Sequence, residues 1–158
     1  MNKVAIFVDV QNIYYTTRDT FKRPFNYRAF YHELSQQNDI VSAIAYAVDR
    51  GDEQQMKFQS ALRHIGFEVK LKPFIQRADG SAKGDWDVGI TIDVLELASQ
   101  VDEIILLSGD GDFAILLETV MRKHGCKTSV YGVLNLTANA LINSASAFVD
   151  IDKKWLLN

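Results

Sequence analysis

Cysteine is nearly absent. Cys126 is the single one in 158 residues, so no internal disulfide can form, and the chain reads as a protein of the reducing cytoplasm. It follows His124-Gly125 and precedes a strand-like run, the setting of a small packed hydrophobe and not of a nucleophile. Histidine is scarce too. Three scattered histidines and one cysteine argue against a structural zinc site. No apolar run approaches the ~20 residues that span a bilayer, which excludes a membrane helix. The N-terminus has one lysine and a short apolar run ending at Asp9, so it reads as a first strand and not a signal peptide. Two prolines and a hydrophobic fraction of 47% argue against disorder. The length suits one domain, residues 1–158, with a real core.

Charge is missing locally. The net charge of −3 gives no global sign of a nucleic-acid partner. Yet from Asp85 to Glu118 there are nine acidic residues and no Lys or Arg. Lys70, Lys72, Arg77 and Lys83 lie just before this stretch, and Arg18, Lys22, Arg23 and Arg28 form another basic patch. An acidic centre with basic flanks suits a metal-dependent enzyme acting on a polyanion.

What is present is an alternation of strand and helix patterns with no linker or repeat. Strands are expected at 4–8, 40–48, 67–74, 103–107, 127–133 and 147–151. Helices are expected at 27–37, 53–64, 86–99, 112–124 and 137–144. Residues 10–26 read as a loop or helical segment, and 76–84 as a loop. Helices ending in Arg63-His64 and Arg122-Lys123-His124 place cations in the last turn with Gly66 and Gly125 beyond, which explains two of the histidines structurally. Such alternation implies a parallel sheet covered on both faces, with sites in the crevice beyond the carboxyl ends of the strands. The apolar Trp155-Leu156-Leu157 either covers the core or meets a second subunit, which leaves a homodimer open.

Three segments carry chemistry. In Leu107-Ser108-Gly109-Asp110-Gly111-Asp112-Phe113, an apolar strand ends in a glycine turn with two aspartates. A helix cap needs only one of them. Gly109 and Gly111 would let the backbone approach a ligand closely. No lysine follows, so this is not a phosphate-cradling loop of the Lys-Ser/Thr kind. The second segment is Val4 to Val8 followed by Asp9 and Asn12. The third is Lys83-Gly84-Asp85-Trp86-Asp87, in which Asp85 suits a helix cap and Asp87 lies in the first turn. Asp93, about 120° further round that helix, cannot share the direction of Asp87 closely. Asp87 is therefore favoured as a metal ligand, with Asp93 kept as an outside candidate.

In these pieces the chain resembles the NYN-domain proteins, in particular the LabA-like branch of the PIN-like nuclease superfamily. The pieces occur in the family's order and the resemblance covers nearly the whole chain. Trp86, where an aliphatic residue is commoner, is a mild departure. The resemblance implies a three-layer α/β/α sandwich with a mostly parallel central sheet. It also implies divalent-metal-dependent cleavage of RNA, with Asp9, Asp87, Asp110 and Asp112 as the acidic site, Asn12 as its asparagine and Asp93 as a recurrent acid.

The residue chemistry agrees. Carboxylates and an amide are hard oxygen ligands that select Mg²⁺ or Mn²⁺ over zinc. Lys83 is the leading phosphate contact, with Arg77, Lys72 and the Arg18 to Arg23 patch tracking the backbone of RNA, presumed single-stranded. Tyr14, Tyr15 and Trp86 are candidates to stack on unpaired bases, core packing being an alternative for any of them. Two other functions stay open. One is a regulatory module that binds metal or RNA without turnover and acts through a partner. The other is small-molecule phosphoryl transfer, in which Lys127 would play a receiver-like role.

Overall fold

The computed structural model describes residues 1–73, 75–76, 82–83 and 85–158, with backbone alone for 75–76 and 82–83. Among the described residues eight strands and six α-helices follow one another: β1 (Asn2–Asp9), α1 (Val10–Phe21), α2 (Tyr27–Gln37), β2 (Asn38–Asp49), α3 (Glu53–Ile65), β3 (Glu68–Pro73), β4 (Ile75–Gln76), β5 (Ala82–Lys83), α4 (Asp87–Leu97), β6 (Glu103–Leu107), α5 (Ala114–His124), β7 (Lys127–Gly132), α6 (Asn139–Ser144) and β8 (Ala147–Asp150). The main sheet has six strands in the order β3-β2-β1-β6-β7-β8, and every pairing in it is parallel. This is the three-layer α/β/α arrangement the alternation implied.

β1 lies at the centre, and Val4 to Val8 are fully buried. Its side chains divide by parity, as successive Cβ atoms must. Val4, Ile6 and Val8 join Ile13, Phe30, Leu34 and Leu62 beneath α1, α2 and α3. Ala5 and Phe7 join Ile90, Val94, Leu117, Val120 and Leu141 beneath α4, α5 and α6. An apolar residue at every position is therefore required, which is why the strand shows no polar alternation.

The chain runs outward from β1 to β3, returns to β6 on the other side of β1, and runs outward again to β8. Strand order thus reverses between β1 and β6, whose ends are level, with Val8 opposite Leu107. A crevice opens beyond the carboxyl ends at such a switch point.

The undecided segment after β1 is helical. Thr16 and Thr17 share its buried face with Val10 and Ile13. Their hydroxyls are satisfied by donating back to Asn12 O at 2.8 Å and Ile13 O at 2.7 Å. The loop expected at 76–84 contains a short antiparallel pairing, Ile75 with Lys83 and Gln76 with Ala82. Gly66 and Gly125 close α3 and α5 at φ +136° and +66°, the stops expected of them. Trp155 and Leu156 are buried in the core, and Arg23 holds this tail, its Nε donating to Leu157 O at 2.8 Å. Among the described residues no helix is long and apolar enough to cross a membrane.

Candidate metal centre

Asp9 ends β1 and caps α1. Its Oδ1 accepts a long bond from Asn12 N at 3.5 Å, and its Oδ2 accepts from Ser108 Oγ at 3.1 Å. Burial pushes its carboxyl up to about 6; the bonds from Asn12 N and Ser108 oppose the rise, while the charges of Asp110 and Asp85 add to it. Asp110 begins the turn after β6 and accepts from Asp112 N at 2.9 Å, so it is a cap as well as a cleft residue. Asp87 enters from the first turn of α4. Burial and then the charges of Asp110, Asp85 and Asp9 raise it to about 7. Carboxylate oxygens of Asp87, Asp110 and Asp112 lie within 4.8 Å of one another. Asp9, Asp87 and Asp110 line one open cleft of about 250 Å³ with Gln11, Asn12, Tyr15, Thr16 and Asp85.

Two residues brace the cleft from below. The Asn12 amide oxygen accepts from Gly109 N at 2.9 Å, tying α1 to the turn after β6. Fully buried Ser108 donates to Asp9 and accepts from Asp110 N at 3.1 Å, so one hydroxyl couples both strand ends. The bracing role of Ser108 is new. So is the place of Asp85 in the cleft, since its expected role was capping alone. It does that in part, accepting from Asp87 N at 3.3 Å. Nothing local distinguishes either residue from an ordinary turn Ser or Asp.

Gly109 serves a different end from the one its sequence suggested. A Cβ there would lie 2.5 Å from the Leu136 carbonyl oxygen, so the close approach is to the chain's own segment before α6 and not to a ligand. The Gly109 carbonyl also accepts from Ala138 N at 3.0 Å.

Several other candidates have partners of their own. Asp93 accepts from Tyr46 OH and from Lys70 Nζ, both at 2.7 Å, and is not part of the cluster of Asp87, Asp110 and Asp112. Lys72 Nζ donates to Asp85 O at 2.7 Å and sits 4.7 Å from the centre of the Trp86 ring. Trp86 itself packs against Tyr46 and donates to Ala47 O at 2.9 Å, so it is a structural ring and not a free stacking surface. Arg18 lies over the rings of Tyr14 and Tyr15. Arg77 and the side chain of Lys83 lie outside the described residues. Lys127 stands at the amino end of β7, the edge of the sheet opposite the aspartates, which removes the lysine a receiver-like reaction requires. The Cys126 thiol is buried, donates to Ala98 O at 3.0 Å and is raised by burial, in keeping with a packed hydrophobe.

The family model for the NYN domain matches residues 3–152. Over 162 aligned residues the chain is 28% identical to the low amplitude and bright protein LabA of Synechococcus elongatus, covering 96% of this chain and 84% of that protein. The crystal structure of a protein of unknown function, VPA0982 from Vibrio parahaemolyticus, superposes with a TM-score of 0.93 at 52% identity, covering 99% of this chain and 96% of that one.

Proposed function

The chain belongs to the NYN domain family, one of the PIN-like nuclease families, and from that premise we propose that it is a ribonuclease that uses Mg²⁺ or Mn²⁺ to hydrolyse phosphodiester bonds of single-stranded RNA. The observation that carries the reading is the meeting of carboxylate oxygens from Asp87, Asp110 and Asp112 within 4.8 Å, beside Asp9 in one cleft. Like charges so close repel, and the raised carboxyls of Asp9 and Asp87 register that repulsion along with burial.

The donor set fits a hard divalent cation. It is all oxygen, and no His or Cys joins the group among the described residues. Asp87, Asp110 and Asp112 would hold the ion, with Asp9 contributing from the strand end. A bound ion supplies charge neutralisation for the scissile phosphate and makes water a better nucleophile there.

The protein's own groups position this chemistry. Ser108 orients Asp9, and Asn12 locks the turn that carries Asp110. Water gives up a proton as its oxygen bonds to phosphorus, the bond from phosphorus to the leaving ribose oxygen breaks, and that oxygen takes up a proton from solvent. We place the activity in the cytoplasm, with residues 1–158 acting as one domain.

The test is incubation of single-stranded RNA with the protein and Mn²⁺ or Mg²⁺, beside Asp110→Asn. Asn also caps helices, so the variant keeps the turn. Metal-dependent cleavage that the variant loses supports the reading. Equal cleavage by both proteins, or none by the wild type, overturns it. Silence combined with Mn²⁺ stabilisation would favour a binding module instead.

A further inference from the structure

The large aromatic side chains of this protein are mostly interior. Phe7, Phe25, Tyr27, Phe30, Tyr46 and Phe113 are all buried. Among the described residues Tyr14, Tyr15 and Phe58 break the pattern, at 51%, 42% and 36% exposed; Phe58 packs edge-on against Tyr27, which leaves the two tyrosines of α1. Leaving two rings half in water forgoes part of the stabilisation that burial brings. Their place is the informative part. Tyr15 lines the acidic cleft with Asp9 and Asn12, and Tyr14 is its neighbour.

The rings do not stack on each other. Their centres are 5.3 Å apart at 68°, edge to face. Arg18, one turn on, places its guanidinium 5.1 Å from the Tyr14 ring centre and 5.2 Å from that of Tyr15. Its Nη1 also donates to Tyr14 OH at 3.3 Å. A cation so held braces both rings and adds positive charge beside a negative cleft. Arg18 lies about 9 Å along the helix axis from Asn12, at ~1.5 Å rise per residue. That is within reach of the nucleotides next to one whose phosphate sits in the cleft.

We propose that Tyr14, Tyr15 and Arg18 form a base-stacking platform that receives unpaired nucleotides flanking the scissile phosphate. The proposal rests on the nuclease reading above. Stacking uses the π-face that every base has, so the platform tolerates any sequence. It demands unpaired bases, because an A-form duplex keeps its base faces inside the stack. Arg18 serves either as a cation over a base or as a phosphate contact, both polyanion chemistry. Selection of single strands is thus a property of α1, separate from the aspartates that cut.

The experiment is steady-state cleavage of a short single-stranded RNA in Mn²⁺ by wild type, Tyr15→Phe and the double variant Tyr14→Ala/Tyr15→Ala. A fully abasic ribose-phosphate strand is the competitor. Both tyrosines are exposed, so the fold should survive, and a thermal melt checks it. Deleting the rings should raise KM about tenfold or more with kcat held. Tyr15→Phe keeps the ring and should recover most of the KM lost in the double variant, and the abasic strand should inhibit wild type and double variant equally. An unchanged KM in the double variant overturns the proposal while leaving the nuclease reading intact. So does equal weakening of inhibition by the abasic strand, since the rings would then act on the backbone. A wild type that cleaves no RNA overturns the nuclease reading itself, and the platform with it.

Discussion

Asp87 and Asp9 hold their protons far longer than free aspartates, at about 7 and about 6 against an ordinary 3.8. The consequence for stability has a definite sign. Between about pH 4 and 7 the native state binds more protons than the unfolded chain, so stability falls as pH rises through that window. In chelator, Asp87→Asn should raise Tm at pH 8 and leave it nearly unchanged at pH 4, where wild-type Asp87 is already protonated. Melts across the window check this, and a Tm difference that does not grow with pH would refute it. Asp93 makes the opposite kind of prediction. It holds α4 against β2 and β3 through Tyr46 and Lys70, and its side chain is 16% exposed. Asp93→Ala should cost about 1.5–3 kcal/mol, the range for a hydrogen bond to a charged group. Denaturant titration reads that loss, and Mn²⁺-induced stabilisation should persist. Asp110→Asn should show the reverse, with stability kept and the Mn²⁺ response lost.

At the scale of elements, the site consists of three starts and stops. β1 ends where α1 begins, β6 ends where a 3₁₀ turn (Gly111–Phe113) leads into α5, and α4 begins at Asp87. Each terminus supplies N–H donors that favour carboxylates, so capping and metal binding call for the same residue type. That is why Asp9 and Asp110 both cap and line the cleft. The turn after β6 is further pinned by the segment before α6, through Gly109. Gly109→Ala would drive a methyl to 2.5 Å from the Leu136 carbonyl, and the backbone must move to relieve it. The expected cost is about 1–3 kcal/mol, as for other overpacked sites. Because the same turn carries Asp110, Mn²⁺ affinity should fall with stability in this variant, and a thermal shift in rising Mn²⁺ measures both.

At the scale of the molecule, the sheet order places the cleft. Asp9 comes from a segment about a hundred residues from Asp110, and Asp87 from a third element, so a bound cation would link α4, the turn after β6 and the end of β1. Mn²⁺ at a hundred times its dissociation constant should add about 2.7 kcal/mol, or roughly 5–10 °C in Tm for a domain of this size. The gain should vanish in Asp110→Asn, and an equal gain in that variant would place the ion elsewhere. The C-terminal tail works at the same scale. Trp155 donates to Glu33 at 3.0 Å and packs against Phe30 and Tyr131, so it is core and not a free surface.

Much of this was written locally. Apolar runs ending in Asp9 and at Ser108, the cation-then-glycine helix ends and the regular alternation of elements each depend on neighbours within a few residues. From them the layer architecture and three of the cleft aspartates, Asp9, Asp87 and Asp110, could be read, with Asp112 beside them. The remainder depends on strand order and register. Ser108 meets Asp9 across 99 residues and Asn12 meets Gly109 across 97, because β1 and β6 lie side by side. Asp93 turns to Lys70 because α4 packs on the β3 side of the sheet, and Gly109 presses on Leu136 because β6 and β7 pair. Helical spacing tells which residues share a face. It does not tell what that face meets, since the partner is chosen by the crossover connections and the packing of the whole sheet.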